Sequence, residues 1–289
     1  MPKIRAQNAA VRELKGLHLY HAGWSNCSMR VRMILEEKGL QWTSHHLDTR
    51  RGEHITPEYF GINPKGLVPA LVHDGDVWIE SCDIIRYLDD SYPEPRLTPA
   101  DALQQAQQSE WMSLAAAIHV SAVKTFIYAA TAANRRRRTG AEIERYRALQ
   151  TDAELLLFHA KNSSDAGISV AERQHAEQQL RDAFGALDRQ LREHRWLAGD
   201  NFTLADVTWV PLHYTLLRSG FDFDHYPYVA AWANVITQRA SFQNAVLRWF
   251  DGPPQTSAAT LKETASPENA AAVSAAAYAQ DSTDEKAGS

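Results

Sequence analysis

A chain of 289 residues with 44% hydrophobic content can bury a substantial core in one large or two smaller domains, and its net charge of −5 argues against general nucleic-acid binding. Two cysteines, Cys27 and Cys82, supply no disulfide framework and fit a reducing compartment, so a cytoplasmic protein is expected. Neither a signal-peptide pattern nor a run of about 18 consecutive apolar residues is found, so neither secretion nor a membrane partner is expected.

Residues 1–15 mix Arg, Lys, Gln and Ala without a strong period and are expected to form a loose N-terminal extension. Leu17-His18-Leu19-Tyr20 alternates as a short strand. Ser28 to Lys38 then carries Val31, Met33, Ile34 and Leu35 at helical spacing, with Gly39 as the stop. Gln41 to Leu47 reads as a strand and Glu53 to Phe60 as a short irregular helix. The apolar run Gly66 to Val72, the Asp74-Gly75 turn and the run Val77-Trp78-Ile79 read as an antiparallel hairpin, followed by a helix from Ser81 to Asp90. Tyr92-Pro93-Glu94-Pro95 reads as a linker between a first domain, 16–92, and a second, 98–252. The second is dominated by helical patterns: Gln104 to Ala130, Ala141 to Ala160, Val170 to His194 and Leu204 to Ser219. Arg135-Arg136-Arg137-Arg138 reads as a solvated helix end or loop. Thr203-Leu204-Ala205-Asp206 has the spacing of a helix cap, with a stabilising role and no chemistry. Residues 253–289 have few large apolar groups and are expected to be a disordered tail, with a local helix at Ala270 to Ala279.

Chemistry concentrates in two places. Pro69 stands at the head of the first hairpin strand, where a proline cannot donate to a ladder, and a cis Val68-Pro69 bond would turn the Val68 backbone toward a ligand. Glu80 and Ser81 open a helix whose free N–H groups and partial positive charge suit a carboxylate. The second place is Ser25, Asn26, Cys27 and Ser28, at the first strand-to-helix junction, where capping is the plain reading. The first place alone suggests a site for a small, extended, anionic peptide. The 12 histidines show no spacing typical of a metal site.

Leu17–Tyr20, the Ser25-Asn26-Cys27-Ser28-Met29-Arg30-Val31-Arg32 segment, Asn63-Pro64, Val68-Pro69, Glu80-Ser81 and Phe202-Thr203-Leu204-Ala205-Asp206 resemble, in the same order, the glutathione S-transferase superfamily over roughly residues 16–250. The resemblance implies an α/β thioredoxin-like N-terminal domain plus an all-α C-terminal domain, glutathione as co-substrate, and a homodimer. The stretch 134–169 is longer than the family's usual link, an extension similar to that of ganglioside-induced differentiation-associated relatives.

The junction resembles the Ser-Ser-Cys motif of zeta-class enzymes, and this implies Ser25 as hydroxyl donor to the glutathione thiolate. Asn26 stands where that motif has its second serine, a departure that weakens the case for zeta-type cis–trans isomerisation. Cys27 matches the motif's cysteine and offers a rival chemistry through a mixed disulfide with glutathione. The resemblance further implies backbone pairing of Val68 with the cysteinyl part of glutathione and contacts of Glu80 and Ser81 with its γ-glutamyl end. His54 resembles a theta-class histidine near the glycyl carboxylate, and Lys65 could assist by charge. The second substrate is expected between the domains, against Trp111, His119, Phe126 and Tyr128, for each of which core packing at helical spacing is an equal reading.

The function expected is attack of a Ser25-stabilised glutathione thiolate on a small apolar electrophile. The Ile62-Asn63-Pro64, Val68-Pro69-Ala70-Leu71, His73-Asp74-Gly75 and Tyr87-Leu88 series also resembles bacterial β-aryl etherases and dehalogenating transferases, so loss of a phenol or halide fits. A non-catalytic glutathione-binding or scaffolding protein, and a Cys27-dependent thiol transferase or peroxidase, are the alternatives.

Overall fold

The structure, a computed structural model, describes residues 3–132, 138–164 and 166–250. Arg135–Arg137 and the expected tail with its local helix lie outside the described residues.

The N-terminal part is a five-stranded mixed sheet in the order β1-β5-β4-β2-β3, made of β1 (Lys3–Ile4), β2 (Leu17–His21), β3 (Trp42–His46), β4 (Ala70–His73) and β5 (Asp76–Trp78). β2 runs parallel to β3 and antiparallel to β4. In β2 the alternation is plain: Leu17, Leu19 and His21 are buried while His18 and Tyr20 are half-buried. The expected hairpin closes with His73 opposite Asp76. Asp74 and Gly75 have φ of 50° and 85°, the left-handed pair that a two-residue turn of this twist requires. A Cβ at Gly75 would lie 2.3 Å from the Arg12 carbonyl oxygen, which keeps the position glycine.

Residues 3–12 depart from the loose extension expected over 1–15. Lys3 and Ile4 pair antiparallel with Trp78 and Val77, and α1 (Ala9–Arg12) follows. The reason is an unpaired β5 edge together with apolar cover: Ala6 and Val11 are buried against Val72 and Val77 in a second small core.

Three helices flank the sheet: α2 (Asn26–Glu37), α3 (Pro57–Phe60) and α4 (Ser81–Ser91). α3 is shorter than the helix expected from Glu53, because Thr56 caps it and Pro57 opens it. α2 buries Met29, Val31, Met33, Ile34 and Leu35, and places two arginines, Arg30 and Arg32, in the same buried surface. Lys38 closes the α2 end by pairing with Asp89 at 2.7 Å, both side chains buried, and by donating to the carbonyls of Tyr92 and Pro95. Asp89 in turn accepts from the Leu97 and Thr98 N–H groups, so the proline-rich linker is pinned at both edges.

The helical part contains α5 (Ala102–Ile118), a π-helical turn (His119–Lys124), α6 (Thr125–Thr131), α7 (Gly140–Leu149), α8 (Ala153–Ser163), α9 (Val170–Glu193), α10 (Leu204–Leu217), α11 (Pro227–Thr237) and α12 (Ala240–Phe242). A second π turn, Gln243–Leu247, and α13 (Arg248–Phe250) end the described chain. Ala102–Thr131 is one continuous helix of 30 residues, long and apolar enough by composition to cross a membrane, but its Met112, Ala115, Ile118, Ala122, Val123, Phe126 and Ile127 stripe is buried in the main core. The single helix expected over Ala141–Ala160 is two: Gln150 ends α7, and Asp152 caps α8 by accepting from the Leu155 N–H.

The described residues belong to one compact unit, and α2 is its seam. Arg30 Nε donates to the Thr208 carbonyl of α10, Arg32 Nε to the Ala245 carbonyl, and Glu37 takes a two-pronged pair from Arg239 at 2.7 and 2.8 Å.

Candidate functional site

The first turns of α2 and α4 meet at Arg30. Arg30 is 2% exposed, and its Nη1 donates to Ser81 Oγ at 3.1 Å and lies 3.8 Å from both Cys27 Sγ and Cys82 Sγ. Nη2 is buried with no partner, and no carboxylate pairs with Arg30 among the described residues. A buried, uncompensated cation beside two helix N-termini is an electropositive arrangement of the kind that suits an anion.

Ser25 is the N-cap of α2, its Oγ accepting from the Ser28 N–H at 3.2 Å. That satisfies the plain capping role. It leaves the hydroxyl proton for a ligand, since a hydroxyl both accepts and donates. Asn26 is buried and donates to Thr215 Oγ1 of α10 at 3.4 Å, which makes it a tie between α2 and the helical part.

Cys27 sits at the second position of α2, with Sγ 3.5 Å from His119 Nε2. Burial alone pushes this thiol up, but His119 and Arg30, with hydrogen bonds from His119 and Ser81, outweigh it and hold it at about 6. Cys82 shares the guanidinium, yet burial dominates there and raises its thiol. His119 comes from the π turn that follows α5; its Nδ1 is buried without a partner.

The Val68-Pro69 bond is cis, and neither backbone polar group of Val68 has a hydrogen-bond partner among the described residues. Tyr59 Oη and Asn63 Nδ2 both donate to the neighbouring Leu67 carbonyl, fixing the loop. Glu80 is the N-cap of α4 but its side chain makes no hydrogen bond to the helix, and it lies in the left-handed region at φ 65°, where a non-glycine residue is strained. Its Oε1 pairs with Lys65 Nζ at 2.7 Å, both groups about half-exposed, so Oε2 remains open. Ser81 is buried at the first position of α4.

His54 is buried rather than solvent-facing, and its Nδ1 has no partner. Burial first, then the charges of Arg138 and Lys124, push its pKa down to about 4, so the ring is neutral at pH 7. Two residues of α7 and its end reach this side: Gln150 Nε2 donates to the Lys65 carbonyl at 2.8 Å, and Tyr146 packs with Ile55 and Phe60.

Of the residues expected to face a second substrate, His119 is the one bonded to the α2 N-terminus. Trp111 packs edge-on to Trp209 and lends it a backbone carbonyl, Phe126 is in the core against Phe221, and Tyr128 lies edge-on to Phe158 of α8. Sequence reasoning gave Arg30 no role. The available signal was a charged residue amid Met29, Val31, Met33 and Ile34, on a face that should be wholly apolar.

The glutathione S-transferase N-terminal domain profile matches residues 24–91 and the C-terminal domain profile residues 152–240. The chain is 31% identical over 233 residues to a zeta-class glutathione S-transferase of Euphorbia esula, covering 80% of this chain and 89% of that protein. It is 29% identical over 240 residues to maleylacetoacetate isomerase of Pseudomonas aeruginosa, covering 79% and 95%. Among solved structures it superposes on the β-etherase LigF from Sphingobium sp. strain SYK-6 with a TM-score of 0.70 at 25% identity, covering 79% of this chain and 98% of that one. A theta-class enzyme from Xanthomonas axonopodis pv. citri with glutathione bound gives a TM-score of 0.64 at 20% identity, covering 82% and 100%.

Proposed function

The chain belongs to the glutathione S-transferase superfamily, uses glutathione as co-substrate, and on that premise we propose that its reaction is attack of a Ser25-held glutathione thiolate on an aryl ether or aryl halide, with loss of a phenolate or halide.

The observation that carries this reading is the meeting of the α2 and α4 N-termini at a buried arginine with no carboxylate partner. The γ-glutamyl carboxylate would take the Ser81 hydroxyl and the free N–H groups of α4, and its ammonium the open Glu80 oxygen. The Val68 N–H and C=O would pair with the cysteinyl backbone, which delivers the sulfur to the Ser25 hydroxyl. A donor there, with Arg30 behind it, favours S⁻ over SH and so raises the nucleophile's concentration at pH 7. His54 and Lys65 would serve the glycyl end.

The likeness to a β-etherase over 98% of that chain supports phenolate loss, and Asn26 in place of the second serine separates the junction from the zeta pattern. The functional unit is proposed to be a homodimer. The test is a turnover screen with glutathione against aryl ethers, aryl halides and maleyl compounds. Turnover of the first two supports the reading, turnover of maleyl compounds alone replaces it with isomerisation, and glutathione binding with no turnover replaces it with a binding protein.

A further inference from the structure

The arginine run that reads in the sequence as a solvated loop end has its described member, Arg138, half-buried. Arg138 and Arg145 of α7 and its approach meet Arg50 and Arg51, from the loop after β3, around one small cleft. Four guanidinium groups and a single carboxylate, that of Glu142, line it. Glu142 Oε2 is already engaged by the Thr139 N–H and hydroxyl in the α7 cap. Neither Arg138 nor Arg145 pairs with a carboxylate among the described residues, whereas Arg147, on α7 but outside the cleft, pairs with Glu144 at 2.8 Å. Arg51 reaches Asp48 at 3.5 Å with its own side chain exposed. A chain of net charge −5 does not gather cations by composition, so this convergence from two segments is a local feature. Two of the four side chains rest on aromatic faces. The Arg50 guanidinium carbon is 4.3 Å from the Trp24 ring centroid, and that of Arg138 is 5.4 Å from the Tyr146 ring. Tyr146 is buried, and its hydroxyl bonds Gln150 Nε2 at 3.1 Å and His159 Nδ1 at 2.6 Å, which fixes the platform. A guanidinium laid on an aromatic face keeps its N–H fork free in its own plane, and that fork matches two oxygens of one oxyanion. The N-terminal end of α7 adds its partial positive charge in the same sense. The field reaches the neighbouring His54, where the charge of Arg138 follows burial as a cause of the low pKa.

We propose that the cleft formed by Arg50, Arg51, Arg138 and Arg145 is an oxyanion site for a phosphate group, carried by inorganic phosphate or a small phosphate monoester, and that it is separate from the glutathione cleft. It goes beyond the transferase reading and uses none of the residues assigned there. A phosphate monoester carries roughly 1.5 to 2 negative charges at pH 7 and presents three strong acceptor oxygens. That matches four guanidinium groups against one carboxylate better than a singly charged carboxylate would, because the oxygens can take two forks at once. Ile55 apart, the lining is polar or glycine, so the cleft reads the charged head and not an apolar group attached to it.

Calorimetry on the full chain tests the site, with inorganic phosphate and glycerol 3-phosphate as titrants, ionic strength held constant with sodium chloride, and glutathione absent or saturating. Both titrants are expected to bind one site per chain, with the same affinity in the presence and absence of glutathione. Arg138→Ala and Arg145→Ala should each weaken binding about tenfold or more, the loss of one hydrogen bond to a charged group. Arg147→Ala, outside the cleft, should leave it unchanged. Arg138→Lys keeps the charge and loses the fork, so its affinity should fall between those of wild type and Arg138→Ala. Heat that vanishes at constant ionic strength, or an equal loss in Arg147→Ala, would reduce the cluster to diffuse screening and overturn the proposal. Displacement of phosphate by glutathione would overturn the separate site and leave the transferase reading standing. Vesicles containing phosphatidic acid form the last arm: binding to them with no binding of either soluble titrant would overturn the proposal in favour of a membrane surface.

Discussion

The N-terminus of α10 and those of α2 and α4 are built from the same residue types to opposite ends. At α10 everything is closed: Asp206 Oδ2 accepts from the Thr203 N–H and hydroxyl, and Oδ1 from the Leu197 N–H and the Trp232 indole. Burial raises the Asp206 pKa, opposed by those hydrogen bonds. At α4, the N-cap Glu80 is held in a strained left-handed conformation and gives the helix no side-chain cap, and at α2 Ser25 spends one lone pair and keeps its proton. The two buried arginines repeat the contrast. Arg32 is taken up by the carbonyls of Ala22, Gly23 and Ala245 and by His21, whereas Arg30 keeps a buried nitrogen free and faces a hydroxyl and two thiols. A saturated end holds the fold together; an end left open is where a ligand completes it.

That contrast breaks if the closed end proves dispensable. Asp206→Ala removes an acceptor of four buried donors and is expected to cost about 3 kcal/mol in urea unfolding. A loss below about 1 kcal/mol would mean that the Thr203 hydroxyl alone closes α10. Next in size, Ser81→Ala should weaken glutathione by about 1.5–3 kcal/mol in calorimetry, the worth of a hydrogen bond to a charged group. Unchanged affinity would take Ser81 out of the site. Ser25→Ala should lower stability by only about 1 kcal/mol, as for one cap, so that any larger effect appears in turnover. Smallest of all, Lys65→Met should leave stability within about 1 kcal/mol, because the Lys65–Glu80 pair is half-exposed.

The thioredoxin-like order was legible because it rests on local signals: alternation in Leu17–Tyr20, the Asp74-Gly75 turn, Gly39 after a helical run. The cap at Thr203 and the cis bond at Val68-Pro69 were legible as short motifs with a mechanism. The packing of residues 3–12 was not, because it depends on an open β5 edge far along the chain. Nor was the break at Gln150, whose side chain is held by the Lys65 carbonyl 85 residues away. Arg30 and His119 show the same limit. One sits on an apolar helix face and the other on a π turn with no pattern of its own, and their roles exist only where three helices converge.

The central claim is that Ser25 stabilises a glutathione thiolate in this pocket, and ultraviolet titration of the bound thiol tests it most directly. The signal is the thiolate absorbance of glutathione in complex, read in a Cys27→Ser background so that the protein's own thiolate does not contribute. With Ser25 present the bound thiol should ionise well below the roughly 8.5 of a free thiol, and with Ser25→Ala it should return most of the way toward that value. Bound glutathione that titrates as the free thiol does in both proteins would contradict the account.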